Sequence, residues 1–546
     1  MDYNKLANLL FPEIDKDLHY YLNKYKKRDL PKGAEVTRIA PSPTGFLHVG
    51  TIYGALIDYF TAKQSNGVFY MRLEDTDQKR EVKNAGEIAY DMLCYYNVTP
   101  NEGYRGSLEQ IGDYGDYIQS KRTNIYKAFA KHLVSIGRAF PCFCNKSESK
   151  QDIIDRRNQE LEESEDIDGK DPCRALTIEQ IEANLKENKP FAIRLLSKGN
   201  PDNQFEFEDL IKGKRTIREN NKDIVLLKSN GIPPYSLAHL VDDTLMGTTI
   251  VVRGEEWYPS LASHLELFDA FNLPRLKYAH TPVICKNDDN GGKRKLSKRK
   301  DPEADARFFI EKGYPKTAVV EYLINLLNSD FELWRAQNPT AHYEEFNFSI
   351  SKIGSNNPMF DFNKLNDISK TIISKMSAEE VYNNVLTWAK EFDKPFAEYL
   401  IKNKDYAIRV FNIDRETIKP RKDIYAWSMV KEYFDYMWNK PKISELEKQD
   451  EANFSEFIKA YENGFILPST KEDWFNGVKV LAEKLGYATD NKAYKANPDA
   501  FKGNTAKACE FIRLALTGRK NSPDLYEIMC ILGEKEVKNR LTIKLK

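Results

Sequence analysis

From Val36 to Ala40 the chain runs through a short β-branched and apolar stretch, and Pro41 and Pro43 hold the next few residues extended. The apolar period then changes. Ile52, Ala55, Leu56, Tyr59 and Phe60 recur at helical spacing, which predicts a helix from Thr51 with one apolar face. Asn66-Gly67 ends that helix, and Val68 to Leu73 reads as a second strand. Strand, loop, helix, strand is a βαβ crossover, whose ligand crevice lies at the carboxyl ends of the strands. Strand-like runs return at Asp223 to Leu227 and Val251 to Arg253. Beyond Asp305 helical spacing dominates, as in Ala318, Val319, Tyr322, Leu323 and Leu326. The short alternating strands of a β-barrel module are not found there.

His48 and Gly50 fall where the first helix begins. Unpaired backbone N–H groups and the positive end of the helix dipole favour phosphate at that point, and a glycine lets a ligand approach the backbone closely. Neither a Walker loop nor a dinucleotide fingerprint is present. Far along the chain, Lys295-Leu296-Ser297-Lys298-Arg299 supplies flexible cations. Together the two segments can grip both ends of a nucleoside triphosphate, which predicts activation by ATP.

Composition narrows this only a little. A chain of 546 residues exceeds one core and predicts about three to five domains. With 82 Lys and Arg against 82 Asp and Glu it lacks the basic excess of a simple nucleic-acid binder. RNA contacts must then come from local clusters such as Lys24 to Arg28, Lys293 to Lys300 and Lys419 to Lys422, although such clusters are often merely solvated. The N-terminal residues show no signal pattern and no apolar run is long enough to span a bilayer, so a soluble, cytoplasmic protein is expected. Seven cysteines fit reduced thiols better than a disulfide framework. The strongest charge bias, Asp152 to Asp171, reads as an exposed helix and loop.

The motifs carry a resemblance. Arg38 to Gly45, His48-Val49-Gly50-Thr51, Arg72-Leu73-Glu74-Asp75-Thr76-Asp77 and Lys295 to Arg299 resemble the signatures of glutamyl-tRNA synthetases, a class I aminoacyl-tRNA synthetase family. Tyr235 to His239, Val241 to Gly247 and Arg253 to Trp257 are similar to its second active-site block, and Leu516 to Arg519 with Pro523 to Leu525 to its C-terminal end. The resemblance implies an α/β Rossmann-type catalytic domain with an inserted α+β acceptor-binding domain, followed by an all-α C-terminal half. Its divisions are a helical extension at 1–35, the catalytic domain at 36–105 and 226–303, and the insertion at 106–225. A stem-contact domain at 304–375 and helical anticodon-binding domains at 376–546 complete it.

It also implies ATP-dependent ligation of L-glutamate to tRNA-Glu through a glutamyl-adenylate, by a monomer, with Mg²⁺ arriving on ATP. His48, Gly50, Lys295 and Lys298 would be catalytic, and His48, Gly50, Thr51, Leu296 and Lys298 would hold ATP. Arg38 with Tyr235 would take the side-chain carboxylate of glutamate, Arg253 the α-carboxylate and Glu74 the ammonium, with Ser42 and His239 lining the pocket. The two arginines could exchange roles. Arginine suits both, because its planar fork pairs carboxylates bidentately.

Cys142, Cys144 and Cys173 resemble the zinc knuckle of some members. Those carry a histidine two positions after the third cysteine, where Ala175 stands here. No histidine or tyrosine lies between Cys144 and Cys173, so a fourth ligand would be an aspartate, a glutamate or water; the alternative is a trio of reduced thiols. Among rival readings, a glutaminyl-tRNA synthetase is disfavoured by Pro41 to Gly45 and the helical second half. A queuosine-charging paralogue would lack the anticodon domains, a non-catalytic tRNA-binding paralogue would lose signature residues, and a small nucleotidyltransferase leaves the insertion unexplained. Charging of tRNA-Gln as well is left open by spacing.

Overall fold

The computed structural model describes residues 1–43, 45–76, 82–107, 109–144, 171–288 and 290–542. Thr44, Asp77 and nearly all of the acidic tract therefore lie outside the described residues. The chain forms two compact units, one of Met1–Phe308 with Val320–Phe360 and one of Phe309–Val319 with Asp361–Lys546.

The first unit opens with α1 (Tyr3–Leu10) and α2 (Leu18–Lys24), each capped by an aspartate, Asp2 or Asp17, that accepts a backbone N–H. The βαβ crossover comes next as β1 (Val36–Ile39), α3 (Val49–Gln64) and β2 (Val68–Met71), with β1 and β2 parallel. Gly67 is required there, because a Cβ would lie 1.8 Å from the carbonyl of Glu35 and force β2 away from β1. Two boundaries differ from the sequence reading. The helix starts at Val49, two residues early, because His48 caps it. The strand stops at Met71, because Leu73 leaves β1 to donate to Tyr117.

After α4 (Ala85–Tyr95) come β3 (Glu102–Tyr104), parallel to β2, and β4 (Gln110–Ile111). Next are α5 (Thr123–Ser135), β5 (Ala139–Cys142), α6 (Ile178–Lys186), β6 (Ala192–Leu195), the hairpin β7 (Gln204–Asp209) and β8 (Gly213–Arg218), and β9 (Val225–Leu227). β5, β6 and β9 form one antiparallel sheet. The chain then returns through α7 (Tyr235–Leu245), β10 (Ile250–Gly254), α8 (Leu261–Ala270) and β11 (Lys277–Thr281), with β10 and β11 parallel. β10 runs beside β1: the Thr249 N–H donates to the Val36 carbonyl at 2.9 Å. The parallel strands thus diverge to either side of the β1–β10 junction, where the crevice of such a sheet opens. A last hairpin, β12 (Cys285–Asn287) and β13 (Lys293–Lys295), ends in the lysine segment.

The N-terminal extension belongs to this core. Leu6, Phe11 and Leu18 pack with Phe129 and Leu133 of α5 and with Leu240 and Phe268 in one buried cluster. Arg28, one of the basic residues singled out for RNA, instead donates to both oxygens of Glu102 at 2.8 and 2.6 Å and to the Met246 carbonyl at 2.7 Å. This guanidinium is committed to contacts within the fold.

The second unit is helical, with no strand among its described residues. Two buried clusters fill it, one around Val381, Leu400 and Phe411, the other around Phe457, Val478 and Phe511. The boundaries are locally encoded. Ser377 and Glu380 form a reciprocal capping box, and Gly518 ends Thr505–Thr517 at φ +74, where a Cβ would meet the Lys442 carbonyl at 2.2 Å.

Candidate active site

A cavity of about 460 Å³ opens at the β1–β10 junction. β1 and the residues after it contribute Arg38 and Ser42, α3 contributes its first turn and Asp58, and β10 contributes Arg253. Glu74, Tyr235, Trp257 and Lys295 stand on its other sides. Both distant segments therefore reach one cavity.

His48 acts differently from a free donor. Its Nδ1 accepts the Gly50 N–H at 2.8 Å, so the ring proton sits on Nε2 and points to the Leu296 carbonyl at 3.3 Å. Burial lowers its pKa and the nearby Lys298 and Lys295 lower it further, which favours the neutral ring this geometry needs. The imidazole thus ties the start of α3 to the lysine segment. Thr51 lies in the same turn, its N–H on the His48 carbonyl at 2.7 Å.

The lysine segment is more anchored than a flexible loop. Leu296 is buried, its N–H on the Ile284 carbonyl at 2.9 Å, and Asp301 accepts from Arg294 at 2.6 and 2.7 Å and from the Ser297 N–H at 2.9 Å. The ammonium groups are held by surface contacts. Lys295 pairs with Glu256 at 2.9 Å and Lys298 contacts the Phe46 carbonyl, all exposed side chains or loop backbone. Leu296 and Lys298 are not in the cavity wall, whereas Lys295 is.

The two arginines differ in their charge balance. Arg38 is fully buried and donates through Nε to both oxygens of Asp243 at 3.2 Å and through Nη1 to the Val252 carbonyl at 3.1 Å. Asp243 also accepts from Arg72 at 2.6 Å, from Tyr70 at 3.2 Å and from His239. Burial pushes its carboxyl upward, but Arg38, Arg72 and His239 outweigh that and hold it well below the usual range. Arg253 has no carboxylate partner among the described residues. Nε donates to His280 and Nη1 to His264, both at 2.9 Å, and Nη2 to the Trp257 carbonyl at 3.4 Å.

Glu74 accepts from Arg72 at 3.0 Å rather than pairing with Arg38, and burial raises its pKa against that partner. Ser42 is exposed at the mouth. Tyr235 lies between Trp257, 4.3 Å away, and His239, stacked at 5.1 Å. The expectation that His239 lines the pocket is corrected. It stands behind Tyr235, its Nδ1 on Asp243 and its Nε2 taking the Tyr278 hydroxyl at 2.9 Å, and burial pulls its pKa down to about 4. An i, i+4 step from His239 to Asp243 along α7 turns the ring into the core.

Residues 35–366 match the family model for the catalytic domain of class I tRNA synthetases (E and Q), and residues 491–545 match an anticodon binding domain. The glutamate-tRNA ligase of Acetivibrio thermocellus is 44% identical, over 99% of this chain and 99% of that protein. The chain belongs to the glutamate-tRNA ligase family. The ligase of Clostridium perfringens is 43% identical over 99% of this chain and 100% of its own. A crystal structure of a glutamate tRNA ligase from Elizabethkingia meningosepticum shares the fold, with a TM-score of 0.68 at 23% identity, covering 93% of this chain and 98% of that one.

Away from the cavity, this glutamate-tRNA ligase family member gathers Cys142, Cys144, Asp171 and Cys173, whose ligand atoms all lie within 4.8 Å of one another. Cys142 ends β5, and Asp171 caps the turn Pro172–Ala175 that carries Cys173. Tetrahedral zinc with thiolate bonds near 2.3 Å needs ligand atoms about 3.8 Å apart. The Cys144 and Cys173 sulfurs are 3.5 Å apart, and Cys142 Sγ is 3.1 Å from Asp171. The donor set fits that ion.

Several neighbours of the cavity were not singled out by the sequence. Asp58 is buried in its wall, and its Oδ1 has no hydrogen-bond partner; burial raises its pKa well above the carboxylate range. Its one sequence signal is that it is the sole acidic residue of α3, four positions after Gly54 and eight after Gly50. Asp243 lies within the Val241 to Gly247 motif but was given no role there, and His264, His280 and Asp209 gave no such signal. Among the described residues, no helix is long and apolar enough to cross a membrane.

Proposed function

We propose that this chain ligates L-glutamate to tRNA-Glu in two steps. A glutamate α-carboxylate oxygen attacks the α-phosphorus of ATP and pyrophosphate leaves. The 2′-hydroxyl of the tRNA's terminal adenosine then attacks the carbonyl carbon of the mixed anhydride, and AMP leaves. The observation that carries this reading is one cavity lined by two arginines, Arg38 and Arg253, by the carboxylate of Glu74 and by the first turn of α3. Its chemistry matches an amino acid with two carboxylates and one ammonium beside a triphosphate.

In this reading Arg253 holds the α-carboxylate, Arg38 and Tyr235 orient the side-chain carboxylate, and Glu74 receives the ammonium. Gly50, without a side chain, lets the nucleotide approach the start of α3, where the positive end of the helix dipole favours phosphate. Lys295 and Lys298 move onto the phosphates as charge builds. Releasing them is cheap, because exposed ion pairs such as Lys295–Glu256 contribute about 0–1 kcal/mol. Mg²⁺ accompanies ATP through the phosphate oxygens. No protein nucleophile is required, since positioning and electrostatic stabilisation suffice for phosphoryl chemistry. The reading places the protein in the cytoplasm, in keeping with seven unpaired cysteines.

The test is aminoacylation of purified tRNA-Glu and tRNA-Gln with labelled glutamate and glutamine. Glutamate on tRNA-Glu is the expected product. Charging with glutamine would move the protein to the sister specificity, and label on both tRNAs would make it non-discriminating.

For the cysteine cluster we read Cys142, Cys144, Asp171 and Cys173 as a structural zinc site, with Arg194 at 3.1 Å holding Asp171. Bound zinc would tie β5 to the turn before α6 and supply no catalysis. Elemental analysis should find about one zinc per chain. Cys142→Ser should release it and lower the unfolding temperature of the purified protein. A metal-free preparation of unchanged stability would identify the cluster as reduced thiols.

A further inference from the structure

The surroundings of Arg253 fix where protons sit. A guanidinium has five N–H donors and no acceptor, so both histidines beside it must accept. His280 accepts through Nε2, which leaves its proton on Nδ1, aimed at Asp209 Oδ2 at 2.6 Å. His264 accepts through Nδ1, leaving its proton on Nε2 toward the Ser236 hydroxyl at 3.2 Å. Both rings are fully buried. Burial lowers both pKa values, and Arg253 adds to the effect.

Three of the five N–H bonds of Arg253 are thereby used, on His280, His264 and Trp257, and the other two have no partner among the described residues, on a side chain that lines the cavity. The contrast with Arg38 is chemical. A carboxylate orients a guanidinium but cancels its charge, as Asp243 does for Arg38, whereas a neutral imidazole orients it and leaves the charge intact.

Asp209 extends the arrangement into the β7–β8 hairpin. Its Oδ1 accepts from Ile211 at 3.0 Å and Lys212 at 2.8 Å, closing the turn, while its Oδ2 holds His280. The Leu210 N–H donates to the Tyr278 carbonyl at 2.9 Å and seats the hairpin on β11.

We propose that His280 and His264 are positioning residues for glutamate: as neutral acceptors they aim the Arg253 guanidinium, with Asp209 fixing the His280 proton, and leave its charge and two N–H bonds to a substrate carboxylate. The proposal rests on the ligase reading. Its test is glutamate charging of tRNA-Glu at saturating tRNA, with KM measured separately for glutamate and ATP. His280→Leu and His264→Leu each remove one acceptor to a charged donor and should raise the glutamate KM roughly 10- to 100-fold, with the ATP KM within about twofold. His280→Gln and His264→Asn keep an acceptor at the same ring position and should return the glutamate KM to within about fivefold of wild type.

His264→Asp orients the guanidinium but cancels its charge, and should weaken glutamate about as much as His264→Leu while the protein stays folded. If the leucine variants do not fold, the Asn and Asp pair at position 264 carries the comparison. Equal losses for both substrates, unchanged leucine or aspartate variants, or amide variants as weak as the leucine ones would overturn the positioning role. A wild-type protein that charges no glutamate would overturn the parent reading and this proposal with it.

Discussion

Arg253→Ala should raise the glutamate KM by roughly 10²- to 10³-fold and leave ATP binding nearly unchanged. Removing one partner of a buried charge pair costs about 3–5 kcal/mol, and each 1.4 kcal/mol is tenfold. The effect should fall on glutamate because Arg253 has histidine and backbone acceptors instead of a carboxylate, so its charge is compensated only when substrate binds. Arg38→Ala should behave differently. Asp243 would keep Arg72 and His239 but lose one of its two cations in a fully buried network, so part of the damage should appear as lost stability. Glutamate and ATP KM values beside thermal unfolding of both variants check this. Equal losses for both substrates in Arg253→Ala would count against its role.

Lys298→Ala should slow adenylate formation by roughly 10²- to 10³-fold, the scale of losing one preorganised donor to a developing oxyanion. Its ammonium now rests on the Phe46 carbonyl, close to the helix start that the phosphates would meet. Stability should change little, because the side chain is exposed and the segment is held by Leu296 and Asp301. ATP–pyrophosphate exchange with tRNA present measures it. Near-normal exchange would remove this lysine from the mechanism.

The crossover and the helical second unit were legible because each rests on a local signal, an apolar period, a proline or a glycine at a helix start, whereas Arg38, Glu74, Tyr235 and Arg253 entered through the motif resemblance alone. Interactions across the chain were not. Asp243 gathers Arg38, 205 residues away in sequence, and Arg72, 171 away, a convergence that only the assembled sheet creates. His239 misled for the same reason: it sits in a motif that lines a site, yet its ring turns inward to Asp243. His48 shifted the helix start because its Nδ1 caps the first turn, a task usually given to Ser, Thr, Asp or Asn. Asp171 was one of the open choices for a fourth ligand, and among the described residues only the folded arrangement brings it to the three thiols.

The seating of the N-terminal extension has a consequence for how the protein is made. α1 and α2 are made well before the strands beside them, and the clamp that Arg28 forms closes on a carbonyl 218 residues downstream. At about 5–20 residues per second, that interval lasts roughly 10–40 s. Throughout it, Leu6, Phe11 and Leu18 lack their later partners Leu240 and Phe268. The newborn chain can therefore cover these apolar residues only in part, against Phe129 and Leu133 of α5, until the second half of the nucleotide sheet arrives.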